Sequence, residues 1–261
     1  MAVTHDIQHI LDSWEYQGPH RLTVRRIRGR DGKVKIQLRL DVGLLQMEAT
    51  GRPDGTRPYG QESLLDHFQQ LAAAHRLYYG TEEGFELDRE DCAALHRESM
   101  QYYHRRICYL ELGDYEAAAR DAEHNLQIMD LLRDYAADRN DWWASEQYRA
   151  FVLSHWIKAK AMLALEAEDY DGALEWVQKG QQMIEHLFTV EYGRPDLLEQ
   201  RFELEFLQEL EEYVRQRRPL TPRELLERKL AEAVAREEFE RAAVLRDQLR
   251  AIEEGRLTNK Q

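Results

Sequence analysis

Two segments decide the fold: ELGDYEAAARDAEHNLQIM, residues 111–129, and EAEDYDGALEWVQKGQQMI, residues 166–184. Tyr115 matches Tyr170, Ala118 matches Ala173 and Ala122 matches Val177, all at an offset of 55. Each segment has an acidic tight turn, then a tyrosine, then a small residue that lets two helices approach closely. The pattern predicts antiparallel helical hairpins. The flanking sequence agrees: QESLLDHFQQLAAAHRLYY puts Leu64, Leu65, Phe68, Leu71, Ala72 and His75 on one stripe. Asp88 is placed to cap a long helix running to Leu112, and Pro195 opens another through DLLEQRFELEFLQELEEYVRQ. Only six prolines and fourteen glycines occur in 261 residues, which suits long helices.

The N-terminal sixty residues read differently. THDIQHILDSW predicts a short helix with Thr4 at its N-cap and Ile7, Ile10, Leu11 and Trp14 on one face. In KVKIQLRLD, Val34, Ile36, Leu38 and Leu40 alternate with Lys33, Lys35, Gln37 and Arg39, the period of a strand. RLTVRRIRG pairs with it through Asp31-Gly32, and LLQMEAT supplies a third strand with Leu45, Met47 and Ala49 on one side. GRPDGTRPYG, residues 51–60, is a stiff turn-rich loop. The net charge is −13, yet residues 20–60 carry ten Arg or Lys against four acids. An acidic body is poorly suited to broad nucleic-acid binding, because phosphate contacts need local positive charge. A solvated hairpin face is the simpler reading of the basic segment. The alternative is an anion patch of Arg25, Arg28, Lys33, Lys35, Arg52 and Arg57, and with it a nucleic-acid binder or nuclease-type protein.

The recurring segments resemble the second helix of a tetratricopeptide repeat. The usual repeat is about 34 residues, so the offset of 55 implies lengthened hairpins of repeat-like packing. Trp142, Trp143, Tyr148, Trp156 and Trp176 are then expected between helices rather than around a ligand. Downstream, Arg217, Arg218 and Pro219 form a basic hinge, and Thr221-Pro222-Arg223-Glu224 is a capped helix start. Leu226, Leu230 and Ala233, then Phe239, Ala242, Leu245, Leu249 and Ile252, trace two coiled-coil-like seams interrupted near 236–238.

On these residues a second resemblance rests. REEFERAAVLRDQLRAIE, residues 236–253, with the upstream leucines, resembles the UVR domain, the UvrB/UvrC motif: Glu238, Phe239, Glu240, Ala242, Ala243, Leu245, Arg246, Asp247 and Leu249 stand where the motif has them. In that family the hairpin joins excinuclease subunits B and C through paired hairpins. It also occurs in Clp-type ATPases and in zinc-carrying activators of protein arginine kinases. The resemblance implies an interaction mode rather than a reaction. Leu226, Leu230, Phe239, Ala242, Leu245 and Leu249 are the expected partner-binding residues, with Arg246 and Asp247 setting register by charge.

Signs of chemistry are sparse. No Gly-x-x-x-x-Gly-Lys-Ser/Thr loop and no Cys-x-x-Cys pair occurs. Cys92, His96, His104 and Cys108 are spaced as if for zinc. On one helix His96 and His104 stand about 12 Å apart along the axis, too far to share an ion bound at about 2.0–2.3 Å. Pro53-Asp54 resembles the start of a restriction-type nuclease motif, but no Asp/Glu-x-Lys follows it on a neighbouring strand. No stretch reaches the roughly 18–20 apolar residues of a bilayer span, and two cysteines make no disulfide framework.

The expectation is a mainly α protein in three parts: helix, small sheet and loop at 1–60, repeat-like helical hairpins at 61–216, and hinge with UVR-like hairpin at 217–261. The expected role is that of a non-enzymatic cytoplasmic adaptor without cofactor. Its partner would be a protein bearing a matching hairpin, or a second copy of the chain. Excision repair is the first candidate process, and proteostasis around Clp-type ATPases the second.

Overall fold

The computed structural model describes residues 6–253 and separates into two compact units, residues 1–214 and 215–261. In the first, α1 (Gln8–Asp12) precedes an antiparallel sheet of β1 (Thr23–Arg28), β2 (Val34–Arg39) and β3 (Leu44–Glu48) in spatial order 1-2-3. Helices α2 (Leu64–Tyr79), α3 (Arg89–Glu111), α4 (Tyr115–Tyr135), α5 (Arg139–Glu146), α6 (Arg149–Glu166) and α7 (Tyr170–His186) follow. α8 (Phe202–Arg217) ends this run, and the second unit is the hairpin α9 (Pro222–Ala235) and α10 (Phe239–Glu253). The chain is thus mainly α with one small sheet. Thr4, the expected cap of α1, lies outside the described residues; Ile7 stands at the N-cap without a side-chain bond.

The helix pairs share one turn. Gly113, Glu168 and Glu237 occupy the middle of the α3–α4, α6–α7 and α9–α10 connections with φ of 70°, 59° and 59°. Behind each, an amide reaches five residues back: Asp114 to the Tyr109 carbonyl, Asp169 to Ala164 and Glu238 to Ala233, each at 2.9 Å. This is the Schellman closure of a helix end, which satisfies carbonyls that the helix leaves open. Tyr115, Tyr170 and Phe239 then start the next helices, and Ala118, Ala173 and Ala242 bury against the preceding ones at 0, 0 and 8% exposure. Gly180 brings α6 and α7 closest, since a Cβ there would sit 2.7 Å from Ile157 Cγ1. The offset of 55 arises because α5 and its connections are inserted between the two hairpins of the first unit.

The sheet is part of the first unit's core, so no domain boundary falls at residue 60. Ile36, Leu38 and Met47 pack with Cys108 and Tyr109 of α3, Ala117 to Ala119 of α4 and Ala159 of α6. The opposite face of β2 is also closed, against the expectation of a solvated surface. Lys35, Gln37 and Arg39 are 8, 4 and 8% exposed. Lys35 is paired with Asp31 at 2.7 Å and with Glu48, Gln37 bonds Arg25 and Gln46 at 2.8 Å each, and Arg39 donates to the Trp14 and Gly43 carbonyls. Each long polar chain on that face is bonded, as burial demands. Val34 and Leu40, at the ends of the alternation, are the exposed ones.

Two buried ionic groups fix the 51–60 loop. Glu98 of α3 is fully buried; it accepts from Arg52 Nε at 2.8 Å, from the Leu64 and Leu65 amides at 2.8 and 3.2 Å, and contacts His124 Nε2 at 3.1 Å. Burial raises its pKa, but the bonds from His124 and the Leu64 amide outweigh that and hold the carboxyl below its ordinary range. An anion at the first amides of α2 also suits the helix dipole. Arg105 forms a two-armed pair with Asp121 at 2.7 and 2.8 Å and donates to the Glu48 and Gly51 carbonyls. The loop is therefore a clasp between sheet and helices.

The tryptophans divide. Trp156 and Trp176 meet edge to face at 5.5 Å within the core, and Trp142 packs in the α2–α3–α4 cluster. Trp143 and Tyr148 are 42 and 57% exposed, so these two are not inter-helix core.

Candidate partner-binding site

The second unit starts with a complete capping box. Thr221 Oγ1 accepts from the Glu224 amide and Glu224 accepts from the Thr221 amide, with Pro222 at the first helical position. Those bonds pull the Glu224 carboxyl below its usual range, the Thr221 amide contributing most. Arg223–Glu227 at 2.7 Å and Arg241–Glu238 at 2.9 Å line the outer faces. Such exposed pairs contribute only about 0.3–0.5 kcal/mol each.

The two seams close on each other. Ala233, Ala242 and Leu245 are buried at 1, 8 and 8% exposure, with Leu226 and Leu230 packed against them. Leu249 is half-buried on the same side of α10. Five expected anchors, Leu226, Leu230, Ala242, Leu245 and Leu249, thus lie along the inner side of the hairpin. Phe239 is different: it is 68% exposed at the start of α10. Val234, one residue before the end of α9, is 52% exposed, and Val244 is 57%. Neither valine stood out in the sequence; the available signal was a β-branched residue off the seam of a charged helix. Arg246 and Asp247 are exposed and pair with each other at 3.1 Å. Between Thr221 and Glu253 there is no cysteine, histidine or serine.

Residues 223–255 match the family model of the UvrB/uvrC motif, UVR. No curated protein and no solved structure matches the chain. The match coincides with α9 and α10, and UVR motifs mediate protein–protein interactions and occur in excision-repair-related proteins.

The six cations of the expected anion patch are split between two clefts. Arg25, Arg28 and Lys35 line one; Lys33, Arg52 and Arg57 line the other. Arg25 bonds Gln37 and lies 4.0 Å over the Trp14 ring, Arg28 donates to the Gly32 carbonyl, and Arg57 pairs with Glu62 at 3.4 Å. Lys35 and Arg52 are spent on Asp31, Glu48, Asp54 and Glu98. Lys35's ammonium is held above its ordinary range, chiefly by the bond to Asp31. The six cations are not brought together as one free surface. Cys92 and Cys108 are buried in separate core clusters of α3, and no helix among the described residues is long and apolar enough to cross a membrane.

Proposed function

We propose that this chain is an adaptor that docks through its UVR hairpin onto a matching hairpin, with excinuclease subunits as the first candidate partners. The observation that carries the reading is the exposure of Phe239 and Val234 on either side of the turn, on a hairpin whose own seam is already closed. The hairpin's buried centre consists of three residues, two of them alanine. So little apolar burial, in under about 40 residues, leaves such a hairpin marginal until a second surface covers it. An exposed phenylalanine is the type of anchor that fills a partner's pocket.

The test is co-purification from native lysate, comparing the full chain with one ending at Arg218 and with Phe239→Asp. Excinuclease subunits retained by the full chain and lost with both variants support the reading. A Clp-type ATPase or a kinase lost in the same way moves the adaptor to proteostasis. A partner kept by the chain ending at Arg218 refutes docking through the hairpin. Light scattering of the same three proteins separates self-pairing from pairing with another chain.

A further inference from the structure

A cavity of about 640 Å³ opens between α3, α4, α5, α6 and the start of α8. Its walls are mainly apolar and aromatic: Met100, Tyr103, Met129, Tyr148, Phe151 and Val152. Among them lies Arg106, whose residue is 1% exposed. Its Nη1 donates to Asn125 Oδ1 at 2.9 Å, and its Nε has no hydrogen-bond partner. The guanidinium also lies 5.5 Å from the Tyr103 ring centre and 5.9 Å from that of Phe151. Among the described residues no carboxylate is paired with it; Asp121, the nearby acid, is taken by Arg105, and Glu203 at the cavity wall makes no ion pair.

An arginine buried without a counter-ion is costly. Buried charges are normally paired, and an uncompensated one is among the strongly destabilising features a fold can carry. The other buried arginines of the helices obey the rule: Arg105 has Asp121, and Arg149 has Glu146 at 2.7 Å and Asp130 at 2.9 Å. Arg39, buried on the sheet, has no carboxylate among the described residues but donates to four backbone carbonyls. Arg106 has neither a carboxylate nor such a set of acceptors, and it stands at a cavity. Nearby His155 adds no negative charge, and its Nδ1 is also without a partner.

We infer that this cavity binds a small organic acid, its carboxylate on Arg106 and its apolar body against Tyr103, Tyr148 and Phe151. The volume falls in the range of small-molecule sites, roughly 300–1,000 Å³. A carboxylate suits one planar guanidinium with an apolar surround. A phosphate would call for further donors, and the neighbouring Asn125 amide is already spent on Ser99, at 2.8 and 2.7 Å.

The test uses the full chain with 4-phenylbutyrate, octanoate and indole-3-acetate, each beside its neutral primary amide, by calorimetry and thermal shift. At least one acid binds and raises the unfolding midpoint, and its amide binds about tenfold or more weakly. Arg106→Met loses that binding while its unliganded midpoint stays unchanged or rises, because a buried unpaired charge has gone. Tyr148→Ala, at an exposed position, weakens the acid without unfolding the chain and serves where Arg106→Met does not fold. Equal binding of acid and amide, or undiminished binding in these variants, overturns the assignment. So does the absence of binding by all three acids up to about 10 mM. A peptide with a free C-terminus that binds where the small acids do not also overturns it, moving the ligand to a chain end.

Discussion

Glu168→Gly should stabilise the first unit, and Gly113→Glu should destabilise it by a similar amount. Both residues hold the left-handed position of the same turn, with the same pattern of returning amides. A Cβ at Gly113 would meet nothing within 4 Å, so the substitution there introduces no clash. What remains is the backbone preference. A residue with a Cβ pays about 1–2 kcal/mol in the left-handed region. Glycine gives back about 0.4–1 kcal/mol through the flexibility of the unfolded chain. The net difference is about 0.5–1 kcal/mol at each site, with opposite signs. Glu168 is exposed and its side chain makes no bond among the described residues, so little else is lost. For a unit of this size about 1 kcal/mol moves the thermal midpoint by about 2–4 °C. Calorimetry of both variants and the double variant checks this: one midpoint rises, one falls, and the double variant returns near the parent. A fall in Glu168→Gly, or shifts of the same sign, would refute the shared turn.

Further outcomes follow from buried contacts. Gly180→Ala pushes a methyl onto Ile157 and costs about 1–3 kcal/mol; in an Ile157→Ala background the added cost largely vanishes, read as coupling in a double-mutant cycle of urea unfolding. Asp121→Ala strands Arg105 without its carboxylate and should cost about 3–5 kcal/mol by denaturant unfolding, whereas the exposed Arg246→Ala should cost under about 0.5 kcal/mol. His155 is driven down to a pKa of about 3, first by burial and then by Arg106 and Lys158. Its folded pKa lies below the unfolded one, so its contribution is complete above about pH 6.5 and shrinks on acidification toward 3. The slope is up to about 1.4 kcal/mol per pH unit. His155→Phe should flatten that part of the urea-midpoint profile between pH 7 and 5.

Local rules carried much of the architecture. Asp88 caps α3 through the Glu90 and Asp91 amides, Thr221 completes its capping box, and β1 and β2 pair across Asp31-Gly32. Each signal acts within a few residues, where sequence and structure are closely linked. What alternation could not reveal was the cover on the polar face of β2: Trp14, Asp31 and Glu48 come from three other segments. The role of Glu98 was equally hidden, because its partners Arg52 and Leu64 lie 46 and 34 residues away. The hairpin seam shows a different limit. Spacings of three and four describe a helix face that needs covering, and they are the same whether the cover is the neighbouring helix or another molecule. Here α9 and α10 cover each other, and Phe239 is left outside. The bare guanidinium of Arg106 had no signal, since a lone arginine in a helix reads as a solvated one.

The Arg105 contacts also set an order of assembly. Arg105 reaches Asp121 across 16 residues, but the Glu48 and Gly51 carbonyls across 57 and 54. Closing the longer loops costs more chain entropy than closing the shorter one. The α3–α4 hairpin is therefore expected to form first and to present a fixed guanidinium fork, onto which the end of β3 and the loop dock afterwards. Read in reverse, the sheet is the part that detaches while the helices persist, and its amides should exchange with solvent ahead of those of α3 and α4.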